Sequence, residues 1–277
     1  MADPPVHVTF WNESGADAPR AVLVHGTMTW GEECFSEQRP LAAQFALDVM
    51  DRRGFGDSPD IACSDWEVDA EDVVGLLGSA GAHLVGHSYG GVVAMAVAAH
   101  RPAAVRSLVL IEPSALRIAE QVPVVKAALE RHRAMFADGA PFRGMSAQDY
   151  LRSGAELGFP VPEFTERRLR ATRTAMAERP CWEAQIDLKP LARAPFPKVV
   201  VTGKWDQAHL AYRVSTGDAL VACGSFVAER IGARLVQVPG ADHFPHRDRP
   251  DIVNALLREV WDAAAGHDRR RGGDGSR

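Results

Sequence analysis

A serine hydroxyl turns nucleophilic when a tight turn exposes it and a base stands within reach of its proton. The run Gly86-His87-Ser88-Tyr89-Gly90-Gly91 has the form such a turn requires. It follows the apolar His83-Leu84-Val85 and leads into Val92-Val93-Ala94-Met95-Ala96-Val97-Ala98-Ala99, so it reads as strand, sharp turn and buried helix with Ser88 at the apex. Glycine at positions 86 and 90 suits a turn with no room for Cβ atoms. The pattern G-x-S-x-G is short and arises by chance as a plain glycine-rich turn; the strand before it and the helix after it give it weight here.

A nucleophilic serine requires a histidine base, and the base requires an orienting acid. The chain has ten histidines. His132 lies among charged residues of a helical stretch and His267 lies in a polar tail. His243 lies on Pro239-Gly240-Ala241-Asp242-His243-Phe244, the loop leaving the short strand Leu235-Val236-Gln237-Val238. Sites in open α/β sheets form at the carboxyl ends of strands, so His243 is the expected base and His246 the reserve. Two carboxylates fit the acid by the same logic. Asp206 follows the apolar strand Lys198-Val199-Val200-Val201-Thr202-Gly203, and Glu112 ends Leu108-Val109-Leu110-Ile111. Asp242 is a poor fit, because a sequence neighbour seldom turns its carboxylate onto the adjacent imidazole. Donors for a developing oxyanion are expected from the backbone N–H of Tyr89, at a helix N-terminus, and of Thr27 in His25-Gly26-Thr27-Met28, with Met28 next.

These motifs resemble the α/β-hydrolase-fold enzymes. The resemblance rests on His25-Gly26, on Asp51-Arg52-Arg53-Gly54-Phe55-Gly56-Asp57-Ser58, on the serine turn and on Gly240-Ala241-Asp242-His243-Phe244, and it spans roughly residues 20 to 262. It implies a mostly parallel, doubly wound α/β sheet. The family's order of nucleophile, acid and base favours Ser88, Asp206 and His243, with Glu112 as the alternative acid. Only Val6-His7-Val8-Thr9-Phe10-Trp11 precedes the His-Gly strand, so the first strand of a full eight-stranded sheet is expected to be absent. The implied activity is that of a serine hydrolase, cleaving an ester, thioester or lactone of a small to medium, partly apolar molecule through an acyl-enzyme. Acyl transfer, cyclisation or carbon–carbon bond chemistry on the same site is the alternative, and a silent ligand-binding protein a minor one.

Apolar strand runs recur at residues 21–25, 46–50, 82–86, 106–111, 198–202 and 234–238, separated mostly by helical stretches, as a parallel sheet requires. Between Pro113 and Pro197 that rhythm stops, and helix-prone stretches at 124–136, 146–157 and 163–178 replace it. The expected organisation is a core over 1–113 and 198–265, a helical lid over 114–197, and a disordered tail over 266–277. Met28, Trp30 and Phe244 are the pocket candidates, each weighed against ordinary core packing. The arginines of Glu166 to Arg179, with Arg143 and Arg152, read as a solvated face.

Composition fits a compact enzyme: 277 residues with 46% hydrophobic content suffice for a buried core. A net charge of -5 offers no basic field for nucleic acid. No apolar run approaches the ~20 residues that span a bilayer, and the N-terminus has no leader-like apolar stretch, so a cytoplasmic protein is expected. Cys34, Cys63, Cys181 and Cys223 lack ligand spacing and are expected as buried free thiols, with no metal and no cofactor. A small-molecule acyl substrate and a monomer or homodimer complete the expectation.

Overall fold

The computed structural model describes residues 5–137 and 141–272, with side chains to residue 264. Seven strands form one sheet: β1 (Val8–Trp11), β2 (Arg20–Val24), β3 (Ala46–Met50), β4 (Ala82–His87), β5 (Val105–Ile111), β6 (Lys198–Gly203) and β7 (Arg234–Val238). Their spatial order is β1-β3-β2-β4-β5-β6-β7. β1 runs antiparallel to β3 at the edge, and the remaining pairs are parallel. The six apolar runs of the sequence are thus six adjacent parallel strands.

Alternation along the strands explains why most of their positions are apolar. Val22 and Val24 of β2, Leu84 of β4, Leu108 and Leu110 of β5 and Val200 of β6 belong to one buried cluster. Ala21, Leu23, Val85, Val109, Ile111, Val199 and Val201 belong to a second. Neighbouring side chains point to opposite faces of a strand, and on the central strands β2, β4, β5 and β6 both faces are covered, whereas the edge strand β7 stays largely exposed. The first cluster packs under α1 (Trp66–Leu77), α2 (Tyr89–His100) and α7 (Asp218–Ile231). The second packs under α8, Pro250–Gly272, through Val253, Leu257 and Trp261.

Between β5 and β6 the chain carries α3 (Pro123–Met135), α4 (Ala147–Ser153), α5 (Glu166–Met176) and α6 (Leu188–Arg193). Local sequence starts three of them: the Ser146, Thr165 and Asp187 side chains accept the N–H groups of Asp149, Arg168 and Lys189 as N-caps. The expected tail is helical up to Gly272 within α8, and residues 273–277 lie outside those described. Cys34, Cys181 and Cys223 are buried free thiols, whereas Cys63 is exposed.

Candidate active site

β4 ends beneath Ser88, and α2 begins at Tyr89. Between them Ser88 has φ 54° and ψ −114°, a left-handed backbone that a non-glycine residue adopts only when its surroundings impose it. The Ser88 N–H donates to the Ile111 carbonyl at 2.9 Å, and its own carbonyl accepts the Gly91 N–H at 3.0 Å. Both flanking glycines are required by close approach. A Cβ on Gly86 would lie 2.1 Å from the Gly90 carbonyl oxygen, and one on Gly90 would lie 2.1 Å from that of Val24.

The Ser88 hydroxyl lies 3.0 Å from His243 Nε2 and 3.1 Å from the Ser114 hydroxyl. Ser114, just beyond β5, was not signalled by any motif. His243 comes from the loop after β7, and its carbonyl accepts a hydrogen bond from His87 Nε2 at 2.8 Å. A carbonyl only accepts, so His87 carries its proton on Nε2 and leaves Nδ1 as an acceptor. Nδ1 faces Cys34 Sγ at 3.6 Å, and the same sulfur lies 3.5 Å from His246 Nε2. Burial pushes the Cys34 thiol up to about 12 and His246 down to about 3, so the thiol keeps its proton and the imidazole stays neutral. These donors lie close enough for metal ligation; as a protonated thiol between two neutral imidazoles they form a hydrogen-bonded chain that ends on the His243 main chain. His246, the reserve base, therefore lies in this chain rather than at the serine.

The two candidate acids are placed differently. Glu112, at φ 48° directly after β5, is fully buried. Its Oε1 accepts the Gly203 N–H at 2.6 Å and the Trp205 indole N–H at 3.1 Å, while Oε2 faces His243 Nδ1 at 3.7 Å. Neither Oε2 nor Nδ1 has a hydrogen-bond partner, so each is the other's nearest complement. Burial raises the Glu112 pKa, opposed by His243 and by the Gly203 and Trp205 donors. Asp206, favoured by chain order, is exposed and its Oδ1 accepts the Gly240 N–H at 3.2 Å. The reason is local: Trp205, at φ 56°, turns its ring inward onto Glu112, and the next side chain leaves the site.

The loop after β2 approaches the serine through Gly26, where a Cβ would lie 2.9 Å from His87 Nδ1 and 3.0 Å from Ser88 Cβ. Thr27 follows, then Met28 at φ 60°. Beside this loop, Arg52 is fully buried between the rings of Phe55 and Tyr89, at 4.5 and 4.0 Å. It donates to Asp69 at 2.9 Å, to Glu178 at 2.6 Å and to the Gly26 carbonyl at 3.1 Å. Its own N–H donates to His25 Nε2 at 2.9 Å, which with the 2.7 Å bond from Nδ1 to the Gly26 carbonyl occupies both nitrogens of that buried ring.

Of the pocket candidates, Met28 packs against the cluster of Ala147, Leu151 and Leu169, and Phe244 lies 5.2 Å from the His243 ring. Trp30 is stacked by the guanidinium groups of Arg167 and Arg168, each at 4.8 Å. Four of the arginines around α5 do not form the solvated face their spacing suggests, whereas Arg152 and Arg173 are exposed as expected. Arg167, Arg168, Arg170 and Arg179 reach acceptors on the loops around β2 and β3 or at the start of α1, because α5 lies on those loops. A cleft of about 1030 Å³ lined by Arg117, Glu120, Lys189, Phe226 and Arg230 shares no residue with the serine site.

A model of the alpha/beta hydrolase family matches residues 21–256. The chain belongs to this family. Its relatives include a 2-(acetamidomethylene)succinate hydrolase from Mesorhizobium japonicum, 27% identical over 235 residues that cover 80% of this chain and 81% of that protein. Among solved structures, a thermophilic esterase from Thermogutta terrifontis is similar with a TM-score of 0.63 and 21% identity, covering 94% of this chain and 93% of its own. The enol-lactonase from Burkholderia xenovorans LB400 is similar with a TM-score of 0.59 and 22% identity, covering 92% and 95%. At these identities the two structures speak for the fold alone.

Proposed function

We propose that this alpha/beta hydrolase is a serine hydrolase of carboxylic esters, thioesters or lactones, with Ser88 as nucleophile, His243 as base and Glu112 rather than Asp206 as the acid. The observation that carries the reading is the 3.0 Å separation of Ser88 Oγ and His243 Nε2 on a strained turn. In the proposed reaction His243 Nε2 takes the Ser88 proton as Oγ bonds to the acyl carbon. The negative carbonyl oxygen is held by the N–H groups of Tyr89 and Thr27. Collapse expels the alcohol or thiol, which takes the proton from the imidazolium, and water repeats the sequence in reverse to release the acid and free Ser88. Glu112 Oε2 stabilises the imidazolium from the far side.

The segment from α3 to α6 is proposed to act as a lid over this site. Its support is that Ser88 is only 5% exposed and that the Tyr89 hydroxyl donates to the Arg179 carbonyl at 3.4 Å. Met28 and Phe244 supply apolar surface near the serine, which suits a partly apolar substrate. The curated relative, a 2-(acetamidomethylene)succinate hydrolase, supports a hydrolytic reading of the same family.

Labelling by a fluorophosphonate probe, together with a panel of p-nitrophenyl esters, thioesters and lactones of graded acyl length, tests the reading. Ser88→Ala should fold with an unchanged melting temperature, take no label and lose on the order of 10⁶-fold in turnover. A folded alanine variant with several per cent of wild-type turnover defeats the proposal. A competing alcohol converted to a new ester would instead assign acyl transfer.

A further inference from the structure

The loop that brings Thr27 to the serine is gripped from outside by the segment between β5 and β6, at three points of different chemistry. Arg168 Nη1, on α5, donates to the Met28 carbonyl at 2.6 Å, while its other amino group pairs with Glu33. The Thr27 hydroxyl donates to Glu178, which lies just beyond α5 and is tied at 2.6 Å to Arg52. The Met28 side chain packs against Ala147, Leu151 and Leu169 of α4 and α5. Met28 has φ 60°, a conformation that a non-glycine residue holds only when its neighbours over-determine it. These contacts supply that determination, because they fix the carbonyl, the side chain and the preceding residue together.

We infer that Arg168 and Glu178 are positioning residues for the oxyanion donors: α5 sets the Thr27–Met28 backbone through them, so the hole is complete only while α5 is docked. The inference rests on the serine-hydrolase reading above. It assigns the α4–α5 part of the segment a role in the rate, not only in covering substrate. A donor displaced from the oxyanion by a fraction of an ångström loses much of its transition-state value while ground-state binding changes little.

The discriminating variant is Arg168→Met, which removes the donor to the Met28 carbonyl together with the guanidinium stacked on Trp30. Arg167→Met is the matched control, since its guanidinium stacks on the same indole but pairs with Asp57 and Asp51 and not with the Met28 carbonyl. The readouts are kcat and KM for p-nitrophenyl butyrate and the affinity of butylboronic acid, whose adduct with Ser88 places an oxygen in the hole. Arg168→Met should lose 10- to 100-fold in kcat with KM within threefold, and boronate affinity should weaken in parallel. Arg168→Lys, which retains a charged donor, should recover at least a third of the logarithmic loss, and Arg167→Met should stay within twofold of wild type. Should Arg168→Met lose its cooperative melting, Glu33→Gln, which frees the guanidinium from its partner, takes its place with an expected threefold or greater loss in kcat and boronate affinity. A folded variant with wild-type kcat and boronate affinity overturns the inference, as does a loss confined to KM. Wild-type enzyme without Ser88-dependent turnover would count against the proposed function instead, so the two failures are distinguishable.

Discussion

Replacing Glu112 by glutamine isolates the proposed acid more cleanly than any other substitution at this site. The two side chains have the same shape, so the glutamine carbonyl can keep accepting from Gly203 and Trp205 while its amide turns to His243 Nδ1. An amide N–H facing Nδ1 favours the tautomer with its proton on Nε2, where it cannot take the Ser88 proton. The charge term follows from distance: at 3.7 Å and an effective dielectric of ~20, a carboxylate stabilises the imidazolium by about 4 kcal/mol, or roughly 10³-fold in rate. Glu112→Gln should therefore lower kcat or the rate of fluorophosphonate labelling by about 10³-fold, whereas Asp206→Asn should change either by less than about threefold. Stability should move the other way. Burial raises the folded-state pKa of Glu112, so the protonated form is favoured in the native protein, and the stability this contributes is lost as pH rises from the unfolded value through the folded one. The melting temperature of Glu112→Gln relative to wild type should then climb across that window. A glutamine variant with more than a tenth of wild-type rate, or an Asp206→Asn variant that falls 100-fold, refutes the assignment.

Two further outcomes test the frame around the site. Gly90→Ala drives a methyl group to 2.1 Å from the Val24 carbonyl, where neither strand nor turn can yield, and should cost about 3 kcal/mol or more in denaturant unfolding. Arg52→Met removes the guanidinium that pairs with both the buried Asp69, whose pKa is already lifted to about 6, and Glu178; a loss of about 3–5 kcal/mol in denaturant unfolding is expected.

The sheet was legible because the central parallel strands bury both faces and so write themselves as predominantly apolar runs. Every one of the six runs is a strand, with ends shifted by at most one residue. The serine turn was legible for a related reason: a backbone with positive φ beside two close approaches leaves a glycine signature at fixed spacing. The acid was harder. Asp206 and Glu112 both end strands, and nothing in either segment records that Trp205 turns inward while Asp206 turns out. The arginines around α5 mislead for a comparable reason. A helix with charges at helical spacing looks solvated until the loops it rests on are known to be rich in free carbonyls and carboxylates. Ser114 reaches Ser88 and Cys34 reaches His87 through contacts between distant parts of the chain, and such contacts leave no local pattern.

The chain from His246 through Cys34 and His87 ends on the carbonyl of His243, not on its ring. Loop placement and imidazole function are therefore separable at this position. The main chain is held by a bond that any residue at 243 would still make, since every residue carries that carbonyl. The ring makes its own contacts, with Ser88 Oγ at Nε2 and Glu112 facing Nδ1. Chemistry at this position can consequently be rewritten by changing the side chain alone, with the loop staying docked as a fixed socket for whatever base is placed in it.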